Sequence, residues 1–165
     1  MGRSRGAASS YDPAMATAEW KSICCPIDFS DASRAALEVA ADLARRFGAV
    51  LTLVHAYPVP GYTFPDGSVV ASSRMLQELA DQAAKHVGEW KRQAEELGAP
   101  TVNGETLVGE PASEIVAYAR DRAIDLLVVG THGRTGIEHA LMGSIAERVV
   151  RRARCPVLTV HPQGR

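Results

Sequence analysis

The sequence predicts an α/β domain built on a parallel sheet with helices against both faces, and three observations carry that prediction. Short apolar runs alternate along the chain with longer stretches whose apolar residues recur every third or fourth position, five strand-like runs to four helix-like ones. Most of the strand-like runs are continuously apolar, as suits strands covered on both sides. The 165 residues are 46% hydrophobic and 22% charged, the balance of one ordinary globular domain.

Residues 1–19 are rich in Gly, Ala and Ser, show no apolar period and carry Pro13; they are expected to form a disordered tail. A single domain is expected over residues 20–162, with 163–165 as a second short tail. Ile23, Cys24, Cys25, Pro26 and Ile27 make the first strand, ending at Asp28. Pro26 must sit near the strand's end or on an unpaired side, since proline gives no N–H to a ladder. Ser30, Asp31 and Ser33 offer N-cap oxygens, and Ala36, Ala40, Leu43 and Phe47 then recur at helical spacing up to Gly48, a suitable C′ residue. Val50, Leu51, Thr52, Leu53, Val54 and His55 form the second strand.

Pro58, Pro60, Gly61, Pro65 and Gly67 make residues 58–71 a surface loop and a candidate lid. Leu76, Leu79, Ala83, Val87, Trp90, Ala94 and Leu97 then step by threes and fours, one core-facing stripe of a long helix closed by Gly98. Val102 to Val108 alternates imperfectly and carries the weakest strand signal. Gly109, Glu110 and Pro111 open the third helix, where a first-turn proline sacrifices no hydrogen bond, and Ile115, Val116 and Ala119 form its inner face. Ile124 to Val129 is the fourth strand; Ile145, Val149 and Ala153 mark the fourth helix, and Cys155 to His161 the last strand.

Composition removes several functions. Eighteen Lys and Arg against nineteen Asp and Glu leave a formal charge of −1, so no global positive field exists to hold nucleic acid or an anionic membrane. No apolar run approaches the roughly 20 residues that cross a bilayer, and no apolar secretory stretch opens the chain, so a cytoplasmic protein is expected. Cys24, Cys25 and Cys155 form no CxxC pair and offer no metal-ligand spacing; free buried thiols are expected.

Open parallel sheets bind ligands outside the carboxyl ends of their strands, where strand order reverses. Two such places stand out: Asp28, Phe29 and Ser30 after the first strand, and the run from Gly130 through Gly136 to Gly143 and Ser144 after the fourth. The glycines let backbone approach a bulky anion, and Gly143, Ser144 and Ile145 begin a helix whose free N–H groups and dipole favour negative charge. This is a phosphate cradle on physical grounds, and neither a Walker A loop nor a GxGxxG turn. His132 and His139 have no carboxylate at ligand spacing and read as surface or packing residues rather than metal ligands.

Gly130, Gly133, Gly143 and Ser144 stand in the spacing G-x2-G-x9-G-S, which resembles the ATP-binding motif of the universal stress protein family. The segments ICCPIDFSDAS, LTLVHAY, VGEPASEIVAYA, DLLVVGTHGRTG and CPVLTV resemble that family too, so the likeness runs from Lys21 to His161. The resemblance implies a five-stranded parallel sheet in order 3-2-1-4-5 with two helices on each face, of the Rossmann-like, adenine nucleotide alpha-hydrolase-like class. It implies ATP or a related adenine nucleotide between the first and fourth strands, and a homodimer. Asp28 would hold the nucleoside, Val54 would meet adenine through its backbone, and Gly130, Gly133, Gly143 and Ser144 would bind phosphates. Ile145 would add a backbone N–H and Arg134 would meet outer phosphates, with Pro26, Ile27, Ser30, Thr131 and His132 completing the candidate set. Phe29 departs from the family, in which a small residue often follows the Asp, and a phenyl ring there would narrow the ribose side.

Plainer readings stand beside these. Asp28 could serve only to cap the following helix, the glycines could merely shape a connection, and Arg134 could be a solvated loop charge. The leading functional expectation is a regulatory switch in stress response that changes its protein partner or its conformation when ATP is bound. A slow ATPase or phosphoryl-transfer enzyme using the same pocket and a cyclic-nucleotide binder are the alternatives. Asp28 could hold Mg²⁺ through water, yet no second carboxylate or lysine is committed to the site, so at most slow hydrolysis is expected and no catalytic residue is assigned. Val157, Leu158, Thr159 and Val160 would form an outer strand in the implied order, an edge suited to pairing with a second copy.

Overall fold

Among the described residues the computed structural model has eleven elements, the nine that the runs and stripes predict and two short strands besides: β1 (Ser22–Pro26), α1 (Asp31–Phe47), β2 (Val50–Tyr57), β3 (Tyr62–Thr63), β4 (Val69–Val70), α2 (Ser73–Glu96), β5 (Thr101–Val108), α3 (Pro111–Asp121), β6 (Leu126–Gly130), α4 (Ser144–Arg152) and β7 (Val157–Val160). The structure describes residues 19–58, 72–131 and 143–162, with the backbone alone at 62–63 and 69–70. The expected tails (apart from residue 19), most of the candidate lid, and His132, Gly133 and Arg134 lie outside the described residues.

Five strands form one sheet in the order β5-β2-β1-β6-β7, and every neighbouring pair is parallel. Counting only these five, the order is third, second, first, fourth, fifth, as the resemblance implied. Chain direction across the sheet reverses between β1 and β6, so the crevice of this fold class opens where those two strands end. Pro26 is the last residue of β1, which meets the constraint proline imposes.

Successive side chains along a strand point to opposite faces, and the two faces are filled separately. Ile23 and Cys25 join Leu37, Leu51, Leu53, Trp90 and Val128 in the core under α1 and α2. Cys24 joins Val54, Ile115, Leu127 and Val149 under α3 and α4. Each fully buried Leu, Ile or Val side chain contributes about 1.5–3 kcal/mol through removal from water.

The helices are capped as their sequences dictate. Ser30 accepts the Ser33 N–H at the start of α1, and Gly48 ends that helix in the left-handed region at φ 62. In α2 only the middle of the apolar stripe is buried, at Ala83, Val87, Trp90 and Ala94, while Leu76 and Leu97 are exposed. A helix of 24 residues rises about 1.5 Å per residue and so outreaches the strands beneath it. Phe47 is likewise exposed and packs edge-on against Trp20 with ring centroids 5.0 Å apart. The antiparallel pair β3–β4 lies within the segment expected to be pure loop, because two-residue strands are too short to show a period.

Candidate functional site

Where β1 and β6 diverge, the carboxyl ends of β1, β2 and β6 and the first turns of α3 and α4 enclose a cavity of about 370 Å³. This lies within the roughly 300–1,000 Å³ of small-molecule sites. Pro26, Ile27 and Asp28 line it from β1, Gly130 and Thr131 from β6, and Gly143, Ser144 and Ile145 from the start of α4. Asp28 and the described residues of the glycine run, Gly130, Thr131, Gly143 and Ser144, therefore face one crevice.

Asp28 is the carboxylate of this lining, and its neighbours hold it firmly. Its Oδ1 accepts the Ser30 N–H at 3.1 Å, the Ser30 hydroxyl at 2.5 Å and the Ser33 hydroxyl at 2.6 Å. Its own N–H donates to Ser33 Oγ at 3.0 Å. The first turn of α1 thus fixes the carboxylate, and Asp28 takes part in building that turn. Ser30 does not line the cavity: its side chain is spent on Asp28 and on capping α1.

Phe29, next in the chain, has φ 66, and its ring turns away from the crevice. It packs among His55, His86 and Trp90 with centroid separations of 4.5, 5.3 and 5.6 Å, lining a separate cavity of about 390 Å³ beside α2. The expected narrowing of the ribose side by Phe29 is therefore corrected: the left-handed backbone sends Asp28 and Phe29 to different cavities.

On β2 the cavity is lined by His55, Ala56 and Tyr57, not by Val54. Val54 is fully buried under α3 and α4, and its carbonyl accepts the Ile27 N–H at 2.8 Å. The strand runs to Tyr57, two residues beyond the end read from the apolar run, so the backbone at the crevice is that of Ala56. His55 is fastened by Nδ1, which donates to the Ile27 carbonyl at 2.8 Å.

Gly130 has a packing reason for being glycine. A Cβ there would stand 2.6 Å from the Ala32 carbonyl oxygen and 3.1 Å from the Ser33 nitrogen, so α1 approaches the end of β6 as closely as backbone allows. Gly143 is the N-cap of α4 (φ −69, ψ 151), and among the described residues no side-chain hydrogen bond closes that cap. The first-turn residues Ser144, Ile145 and Ala146 line the crevice, at the end of a helix where N–H groups lack intrahelical acceptors. Pro111 and Ile115 line the crevice from α3, whose cap residue Glu110 accepts the Ala112 and Ser113 N–H groups. The Ser113 hydroxyl foremost holds the Glu110 carboxyl below its ordinary value; burial, next in weight, opposes it, and those N–H groups and Arg148 add to the lowering.

Sequence reasoning missed Ser33, His55, Ala56, Tyr57, Pro58, Pro111, Ile115, Val129 and Ala146 as lining residues. Pro111 and Ile115 carried only helix signals, and Ser33 only a capping signal. Among the described residues no three His, Cys, Asp or Glu side chains gather as a metal site, and no helix is long and apolar enough to cross a membrane.

A doubly wound parallel sheet with its crevice at the switch point, a carboxylate on one lip and a helix N-terminus on the other, defines the class of Rossmann-like ligand-binding α/β proteins. The universal stress protein family model matches residues 19–161, and the chain belongs to that family. Universal stress protein MJ0531 of Methanocaldococcus jannaschii is 41% identical over 143 residues, which cover 86% of this chain and 82% of that protein. The solved structure of universal stress protein UspA from Lactobacillus plantarum is similar at 31% identity and a TM-score of 0.72, over 86% of this chain and 97% of its own. A universal stress protein solved in complex with cAMP matches at 26% identity and a TM-score of 0.69, over 88% and 99%.

Proposed function

We propose that the crevice binds ATP or a related adenine nucleotide and that the bound nucleotide serves as a regulatory switch in stress response. The observation that carries this reading is the meeting of Asp28 with the α4 N-terminus across one cavity, the latter with no side-chain cap among the described residues to compete with an anion. Phosphates would lie against Gly143, Ser144 and Ile145, with Gly133 and Arg134 of the same motif as further partners. Asp28 would take the ribose side and hold Mg²⁺ through water, and the base would meet the backbone of Ala56. Pro26, Ile27, Thr131 and His132 complete the set. Native mass spectrometry for a co-purified nucleotide, followed by titration calorimetry with Mg-ATP, tests the reading. No heat and no thermal shift at millimolar ATP overturns it.

Retention rather than turnover is the expected behaviour. Asp28 is the only acidic residue among the described lining residues, and no lysine joins it. Groups that bind ground state and transition state alike tighten binding without raising turnover. Single-turnover measurement should give a rate far below the roughly 1–100 s⁻¹ of kinases. A cyclic nucleotide is the second reading, favoured by the relative solved with cAMP; competition between ATP and cAMP for the site separates the two.

The switch would act on a protein partner in the cytoplasm and work as a homodimer. Among the described residues β7 has β6 as its one neighbour in the sheet, and it exposes Leu158. Val157, Leu158, Thr159 and Val160 would pair with the same strand of a second copy. Sedimentation showing a monomer at tens of micromolar refutes that assembly.

A further inference from the structure

The connection from β6 to α4 leaves the sheet at Thr131 and re-enters the described structure at Gly143, and these two ends are tied together. The Gly143 N–H donates to the Thr131 carbonyl at 2.5 Å. Thr131 is fully buried and is itself held from β7: its N–H donates to the Val160 carbonyl at 2.9 Å, and its Oγ1 lies 2.9 Å from His161 Nδ1. Where the phosphate lip of the crevice begins therefore depends on a side chain at the far end of the chain. His161 is itself exposed, so burial of its ring does not account for its place.

We propose that His161 is a positioning residue for the phosphate cradle. Its bond to Thr131 fixes the threonine rotamer and the plane of the following peptide, hence the point at which Gly143 docks and the direction in which the first turn of α4 faces the crevice. Asp28 and Ala56, on β1 and β2, hang from other supports: Asp28 from Ser30 and Ser33, and the adjoining His55 from Ile27. The influence of His161 is thus confined to the phosphate side. The nucleotide part of this inference rests on the proposed function; the docking of Gly143 does not.

Two readouts on the full chain test it. In the nucleotide-free protein, His161→Ala should speed hydrogen exchange at the Gly143 amide and leave the Ile27 amide unchanged, while His161→Gln, which can still hydrogen-bond the threonine, should recover most of the protection. In displacement of a fluorescent ATP analogue, His161→Ala should weaken ATP by about three- to tenfold, the worth of one ordinary hydrogen bond, and leave adenosine within twofold. Unchanged exchange at Gly143, or equal weakening of ATP and adenosine, overturns the proposal. A wild-type protein that binds no nucleotide but shows the exchange change in His161→Ala overturns the nucleotide reading and leaves His161 as the residue that docks Gly143.

Discussion

Arg148 of α4 and Glu110, the cap of α3, form an ion pair at 2.9 Å, so the two helices whose first turns line the crevice are fastened to each other. Glu110 does two things at once, closing the first turn of its own helix and anchoring the neighbouring one. Glu110→Ala should lower stability by about 1 kcal/mol, nearly all of it from the lost cap. Both partners are about two-fifths exposed, so a double-mutant cycle with Arg148→Ala should return a coupling below about 1 kcal/mol in urea unfolding.

Gly130→Ala should destabilise the domain by about 1–3 kcal/mol, because the new Cβ would meet backbone of Ala32 that cannot swing aside. The displaced first turn of α1 contains Ser33, so nucleotide affinity should fall together with the melting temperature. A stable Gly130→Ala protein with unaltered affinity contradicts the close approach described.

Asp125 ties the turn before β6 to the start of β1, accepting the Ser22 N–H at 2.8 Å, the Lys21 N–H at 2.9 Å and the Ser22 hydroxyl at 3.0 Å. Burial pushes its carboxyl up, but these donors outweigh it and the net shift is downward. A carboxyl lowered on folding stabilises fully above its unfolded value near 3.9, and that stability disappears as pH falls through the lower folded value. Asp125→Ala should therefore cost about 1–3 kcal/mol at pH 7. The deficit should shrink as the pH is taken below 4, as read from urea midpoints across pH.

Ser144→Ala should weaken ATP ten- to hundredfold if its hydroxyl meets a charged phosphate, a bond worth roughly 1.5–3 kcal/mol. Gly143→Val places a branched side chain at the mouth of the same cradle and should weaken ATP further. Calorimetry on both variants, with folding checked by circular dichroism, decides the matter; unaltered affinity in both removes the phosphates from α4.

The middle of the main sheet was legible because β1, β2 and β6 hold continuous apolar runs, which report burial on both faces without reference to partners; β5, exposed along most of its length, carried the weakest signal for that reason. Two lips of the crevice were legible for a related reason: Asp28 ends an apolar run, and Gly143-Ser144 opens a helix, so local pattern and site coincide. The β2 lip was read at Val54, two residues before Ala56, because the strand continues through Ala56 and Tyr57 beyond His55, where its sequence pattern ends. Phe29 was misjudged because a side chain's direction turns on one backbone angle that composition does not encode. His161 and Thr131 are 30 residues apart, and no spacing rule joins a strand's end to a loop's beginning across a sheet.

The alternation that sends Cys24 and Cys25 into opposite cores has a practical consequence. Burial drives both thiols upward, Cys25 to about 12 and Cys24 well above its ordinary value, the latter with added repulsion from Cys25 and Cys155. Neither is a thiolate at neutral pH, so neither reacts with an alkylating reagent until its layer opens. Two adjacent residues thus serve as separate clocks, Cys25 timing the release of α1 and α2 from the sheet and Cys24 the release of α3 and α4. Pulse labelling read by tandem mass spectrometry across that single peptide bond would show whether the two layers part together or in turn.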